Sequence, residues 1–140
     1  MRRVSLIAAL TLSLAGAALA AGADIKAEMK AVVDPATTTI FAVGGDVDPA
    51  NGPDAAKVSA ARWAEALAAA QKLKAPAANL NSAENKAKGP VWAKSAADFA
   101  KLTGDAEKAA MTKDGAAFSR AANDLGDTCT ACHSKFKTQS

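Results

Sequence analysis

The clearest pattern in the chain lies in its last quarter. Phe118, Ala121, Ala122, Leu125, Cys129, Cys132 and Phe136 recur there at intervals of three or four residues, with polar side chains between them. At about 3.6 residues per turn, that spacing places all of them on one narrow stripe of a helix. A second stripe of Trp92, Ala96, Phe99, Thr103, Ala106 and Ala110 predicts a helix opening near Pro90, and residues 112–115 read as a short turn between the two. Trp63, Ala66, Leu67, Ala70 and Leu73 predict another helix over 54–74, capped by Asp54 and ended by Pro76. Upstream, Ile25, Met29, Val32, Val33, Ile40 and Phe41 predict helix over 24–43, stopping at Gly44-Gly45. Asp34-Pro35 interrupts that segment. A proline inside a helix removes a hydrogen bond and crowds the preceding turn, so a kink is expected, or a second helical start with Asp34 as N-cap. Residues 44–53, rich in Gly and Pro, read as a loop. The polar stretch 77–89, with Asn79, Asn81, Ser82 and Asn85, reads as a long connection. No run alternates with the period of a strand. Four helices and two long loops predict an all-α fold, an antiparallel four-helix bundle.

Composition changes the picture of the core. Alanine dominates, with four Phe, two Trp and no Tyr, which favours helix but supplies few large side chains. A domain of this size must still bury well over half of its unfolded surface. Helices packed closely through small residues are the expected answer to both demands.

The beginning of the chain reads as an export signal. Met1-Arg2-Arg3 forms a short positive region, Val4 onward is apolar to Leu14, and Ala18-Leu19-Ala20 fits the small-x-small cleavage rule. Cleavage is expected after Ala20, leaving one domain over 21–140 in the periplasm. A membrane anchor is the weaker reading, because the apolar run is short for a span. Removing Arg2 and Arg3 reduces 17 basic against 14 acidic residues to 15 against 14, a net charge of +1. No basic stripe interleaved with aromatics remains, so a nucleic-acid partner is not expected.

Candidate chemistry sits at the end of the strongest stripe, where Cys129-Thr130-Ala131-Cys132-His133 spells Cys-x-x-Cys-His, the attachment signal for a c-type haem. Two thiols three positions apart lie about one turn apart on nearly the same helical face, so both can add to the vinyl groups of one porphyrin edge. The adjacent His133 can then bind the iron as proximal ligand. A thioredoxin-type pair would open a helix rather than sit near its end. A zinc site would need a further ligand, yet the chain has no other Cys or His. A disulfide between these two cysteines would close too small a loop to restrain much of the unfolded chain. No paired carboxylates, Ser-His-Asp set or phosphate loop suggests an enzyme.

A helical chain with this motif near its C-terminus resembles the class II c-type cytochromes, the cytochrome c′ family. Further matching features are Pro90-Val91-Trp92 opening a helix, Phe99 two turns on, and the ending Cys-Thr-Ala-Cys-His-Ser-Lys-Phe-Lys. The resemblance covers nearly all of 21–140. It implies one covalently bound haem c per chain and a distal residue from the first helix, at a place matched here by Met29. In six-coordinate, low-spin members that residue is a methionine ligand and the role is electron transfer. In five-coordinate, high-spin members an apolar side chain covers the iron, and nitric oxide or carbon monoxide binds. Where many relatives carry an arginine one turn before the distal residue, this chain has Ile25, and Lys137 stands where an arginine often follows the haem histidine.

The residues narrow the distal choice. His133 is the sole histidine, and Met29 and Met111 are the methionines left after signal removal. Met111 falls off its helix's apolar stripe, whereas Met29 shares a face with Ile25, Val32 and Val33 and should point inward. An inward methionine also serves as core filler, because its thioether packs adaptably. The expectation is a periplasmic electron carrier with haem held by Cys129, Cys132, His133 and Met29, the last two binding iron. The alternative is a gas-binding five-coordinate protein. Expected partners are periplasmic or membrane-bound redox proteins, without stable membrane insertion. The resemblance also implies a possible homodimer.

Overall fold

The structure, a computed structural model, describes residues 24–52 and 57–137. The predicted signal segment and Asp54 lie outside the described residues. All regular elements among those described are helical. They are α1 (Ile25–Glu28), a π-helical turn (Met29–Val33), α2 (Asp34–Asp46), a 3-10 turn (Pro49–Asn51), α3 (Ala60–Lys72), α4 (Lys74–Leu80), α5 (Ala83–Lys86), α6 (Pro90–Thr112) and α7 (Gly115–Phe136). α7 packs on α6 and α2, and α3 packs on the same two helices, an arrangement compatible with a helical bundle. None of the described helices is long and apolar enough to cross a membrane.

The two long C-terminal helices form where the stripes place them, and their ends have clear causes. Gly89 has a φ of 118°, a backbone that glycine adopts freely, and Pro90 follows in the first turn, where a missing N–H removes no helical bond. α6 stops at Lys113, which takes a left-handed φ of 56°. There the Asp114 N–H donates to the Ala109 carbonyl at 2.9 Å and the Lys113 N–H to that of Ala110 at 3.3 Å. Asp114 then caps α7, its Oδ1 accepting from the Ala117 N–H at 3.0 Å. One residue thus ends one helix and starts the next, which keeps the turn short.

The N-terminal helical segment departs from expectation in two places. Asp34 is no N-cap: its backbone is helical, and its N–H donates to the Met29 carbonyl five residues back. Pro35 cannot donate and its ring crowds the turn before it. The widened π turn accommodates the ring without ending the helix. Gly44 and Gly45 do not stop α2, which runs on to Asp46. A Cβ built on Gly44 would lie 2.6 Å from the Ala122 Cβ, so at this position glycine lets α2 and α7 approach closely. Close packing outweighs the roughly 1 kcal/mol by which glycine disfavours a helix interior.

α3 starts six residues later than predicted, capped by Ser59, whose Oγ accepts from the Arg62 N–H at 3.1 Å. Arg62 ties its start to the end of α2 through Asp46 at 2.7 Å. Pro76 does not terminate helical structure either. It lies buried in the first turn of α4, where its missing N–H is harmless. The stretch 77–89, expected to be a connection, contains the rest of α4 and all of α5. Its asparagines make tertiary hydrogen bonds: Asn81 Nδ2 donates to the Ala77 carbonyl at 2.9 Å and to the Ala96 carbonyl at 2.7 Å.

The core is as alanine-rich as composition implies. Half of the buried apolar residues among those described are alanines, and the large members include Trp63, Trp92, Phe99 and Phe118. Trp63 meets Phe118 edge-on, with ring centroids 5.7 Å apart, at the end of the molecule away from the cysteines. Met111 is 66% exposed, as its position off the stripe predicts.

The two adjacent glycines give a paired test. Gly44→Ala should destabilise the protein by about 1–3 kcal/mol through overpacking against Ala122. Gly45→Ala, with nothing within 4 Å of its new Cβ, should stabilise it by about 0.5–1 kcal/mol. Urea unfolding midpoints moving in opposite directions would bear this out.

Candidate functional site

α7 carries its thiols on the face that the core stripe defines. Leu125 is fully buried, Cys129 and Cys132 are half-buried, and Phe136 is half-buried at the last turn. Neither cysteine is in a disulfide. His133 follows Cys129 by one turn, displaced about 40° around the axis, and is exposed near the helix end.

The thiols are not activated nucleophiles. Burial pushes the Cys129 thiol above its ordinary range, and the neighbouring Cys132 adds to this. Burial also raises Cys132, with a hydrogen bond to Ser95 acting in the opposite direction. A redox-active pair at a helix N-terminus would show the reverse, with thiols made more acidic by the helix dipole. These sit near the far end of a 22-residue helix.

The first turns of α6 form a wall beside them. Trp92 stacks edge-on against Phe136, with ring centroids 5.1 Å apart, and its Nε1–H donates to the Leu80 carbonyl at 3.0 Å. Lys88 lies over the Trp92 ring, 4.6 Å from its centroid, and also donates to Asn85 Oδ1. Asn85 is buried, and its Nδ2 donates to the Asn79 carbonyl at 2.8 Å. Asn79 Nδ2 in turn donates to Glu28 Oε2 at 2.7 Å, and Glu28 immediately precedes Met29.

Cys129, Cys132 and His133 are therefore brought together by one helix. Met29 comes from another segment, half-buried against the core at the start of the π turn, and that turn packs on α4. The polar chain Glu28, Asn79, Asn85, Lys88 joins the surroundings of Met29 to the Trp92 wall. Ser95, Glu28 and the asparagines were not singled out from sequence. The density of Asn in 79–85 was the available signal, since buried amides must find partners.

Two thiols on one side of a helix, with an imidazole next to the second, can hold a c-type haem, so the donor set fits that group. The thioether of Met29 is the half-buried one, whereas that of Met111 is exposed.

Trp92→Phe keeps most of the ring packing but leaves the buried end of α4 without its donor. It should cost about 1–3 kcal/mol, read as a lowered unfolding midpoint. No family model matches the chain, and no curated protein or solved structure shows significant similarity to it.

Proposed function

We propose that residues 21–140 form a periplasmic c-type cytochrome, an antiparallel four-helix bundle that carries single electrons between redox partners. The observation that carries this reading is the pair of half-buried thiols at Cys129 and Cys132, with the chain's sole histidine next to them. Cys129 and Cys132 would hold the porphyrin through thioether bonds, His133 would be the proximal ligand and Met29 the distal one. When bound, the haem supplies a reversible one-electron iron couple, whose potential a His/Met pair raises.

The contacts between α2 and α7 support the choice of Met29. Gly44 faces Ala122, and Phe41 lies within 4.0 Å of a Cβ built on Gly126. Moving down α2 thus corresponds to moving along α7 towards its C-terminus. Carried on one residue for one, Val33 falls level with His133 and Ser134, and Met29 level with Lys137, at the end of α7. The polar chain from Glu28 to Lys88 ends at the Trp92 wall. Trp92 and Phe136 would shield one side of the group from water, and the alanine-rich core would leave room for it.

The export signal read in residues 1–20 supports the periplasm, where such attachment takes place. Donor and acceptor would be periplasmic or membrane-bound redox proteins. A homodimer is proposed on the resemblance to cytochromes c′.

The test is the absorption spectrum of the haem-loaded protein, oxidised and reduced, with and without carbon monoxide. A low-spin spectrum with the far-red band of methionine bound to ferric iron, and no response to the gas, is expected. Met29→Leu should abolish the band and raise carbon monoxide binding from none to one per haem, while the haem stays attached. A wild-type spectrum that is high-spin and shifts with the gas would replace electron transfer by gas binding.

A further inference from the structure

On either side of Pro35, one row of inward-facing residues runs in steps of four: Ile25, Met29, Val33 and Thr37. The first two are half-buried and the last two buried, while Lys26, Lys30 and Asp34 beside them are exposed. An α-helix cannot keep such a row straight. At about 100° per residue, four residues overshoot a full turn by about 40°, and three such steps drift by about 120°. The π turn over Met29–Val33 winds less per residue, because its hydrogen bond reaches five residues back, from the Asp34 N–H to the Met29 carbonyl. It takes up the excess where Met29 passes to Val33.

The cause of the turn is next to it. Pro35 has no N–H for the Ala31 carbonyl, and in an α ladder its ring would press on that carbonyl. Thr37 supports the rearrangement, its Oγ1 donating to the Val33 carbonyl at 2.8 Å and the Asp34 carbonyl at 3.1 Å. At the other end, Asn79 holds Glu28. The turn is pinned on both sides of Met29, by a proline after it and an interhelical hydrogen bond before it.

We infer that Pro35 is a positioning residue for Met29: by forcing the π turn, it sets the rotation at which the thioether is turned inward against the core, level with the end of α7. This rests on Met29 being the distal ligand. Pro35→Ala restores the donor for the Ala31 carbonyl and lets the turn relax to α geometry. The segment before it then rotates by up to one residue step, about 100°, taking Met29 off its line and Lys30 towards it. The variant gains helix propensity, so folding should be retained or improved.

Five haem-loaded proteins are compared by the far-red band, carbon monoxide binding and thermal unfolding: wild type, Met29→Leu, Pro35→Ala, Glu28→Gln and Glu28→Leu. The expected result is that Pro35→Ala loses most of the band and binds the gas, as Met29→Leu does, with an unfolding temperature no lower than wild type. Glu28→Gln, which keeps an acceptor for Asn79, should retain the band, whereas Glu28→Leu should lose part of it. A full band in Pro35→Ala, with Met29→Leu losing it, overturns the positioning role and leaves the ligand assignment intact. A Met29→Leu spectrum identical to wild type removes the ligand assignment, and the positioning role with it.

Discussion

The close approach of α2 and α7 at Gly44 and Ala122 governs much of the molecule. With no side chain on one helix and a methyl on the other, the backbones come near enough that a single added Cβ would collide at 2.6 Å. Such a contact permits little sliding, so it sets the register of the two helices along their length. The same device recurs where Gly115 meets Val47, with 3.2 Å between a built Cβ and the valine Cβ. A core in which half the buried apolar residues are alanines depends on such register, because small side chains interdigitate shallowly and correct misalignment poorly. What these contacts position, two to three turns away, is the segment bearing Cys129, Cys132 and His133.

That end of the molecule is built on a different principle. Instead of close-packed methyl groups it has a large aromatic pair, Trp92 and Phe136, flanked by amide and carboxylate hydrogen bonds. Directional bonds fix the angles between elements there, as the proposed haem and its distal ligand would require. The hydrogen bonds from Asn79 and Asn85 fasten α1, α4 and α5 to one another without adding bulk, which leaves the thiols and the methionine free of the task of holding the helices together.

The long C-terminal helices, the thiol-bearing stripe and the outward Met111 were legible in the sequence. Each depends on local periodicity and on caps a few residues away. What was not legible depends on distant partners. Residues 77–89 looked like a loop because their polarity matches that of loops, yet their amides bond to Glu28, Ala96 and each other, and those partners are invisible to local pattern. Gly44 looked like a helix stop because its contribution lies in the approach of Ala122, 78 positions on. Pro35 was expected to kink or restart the helix, and the widened turn is a third solution, in which the Asp34 N–H takes up the Met29 carbonyl and the Thr37 hydroxyl adds bonds to the Val33 and Asp34 carbonyls. Within the candidate site, Cys129, Cys132 and His133 were readable as a unit since they are adjacent. The contributions of Ser95 and Asn79 were not, since tertiary structure alone brings them there.

The most direct test of the central claim is the intact mass of the protein purified from the periplasm under denaturing conditions, alongside the Cys129→Ser, Cys132→Ser double variant. Residues 21–140 plus one covalently retained haem, lost in the double variant, is the predicted result. A mass equal to the polypeptide alone, with both thiols fully alkylated after unfolding, would contradict it.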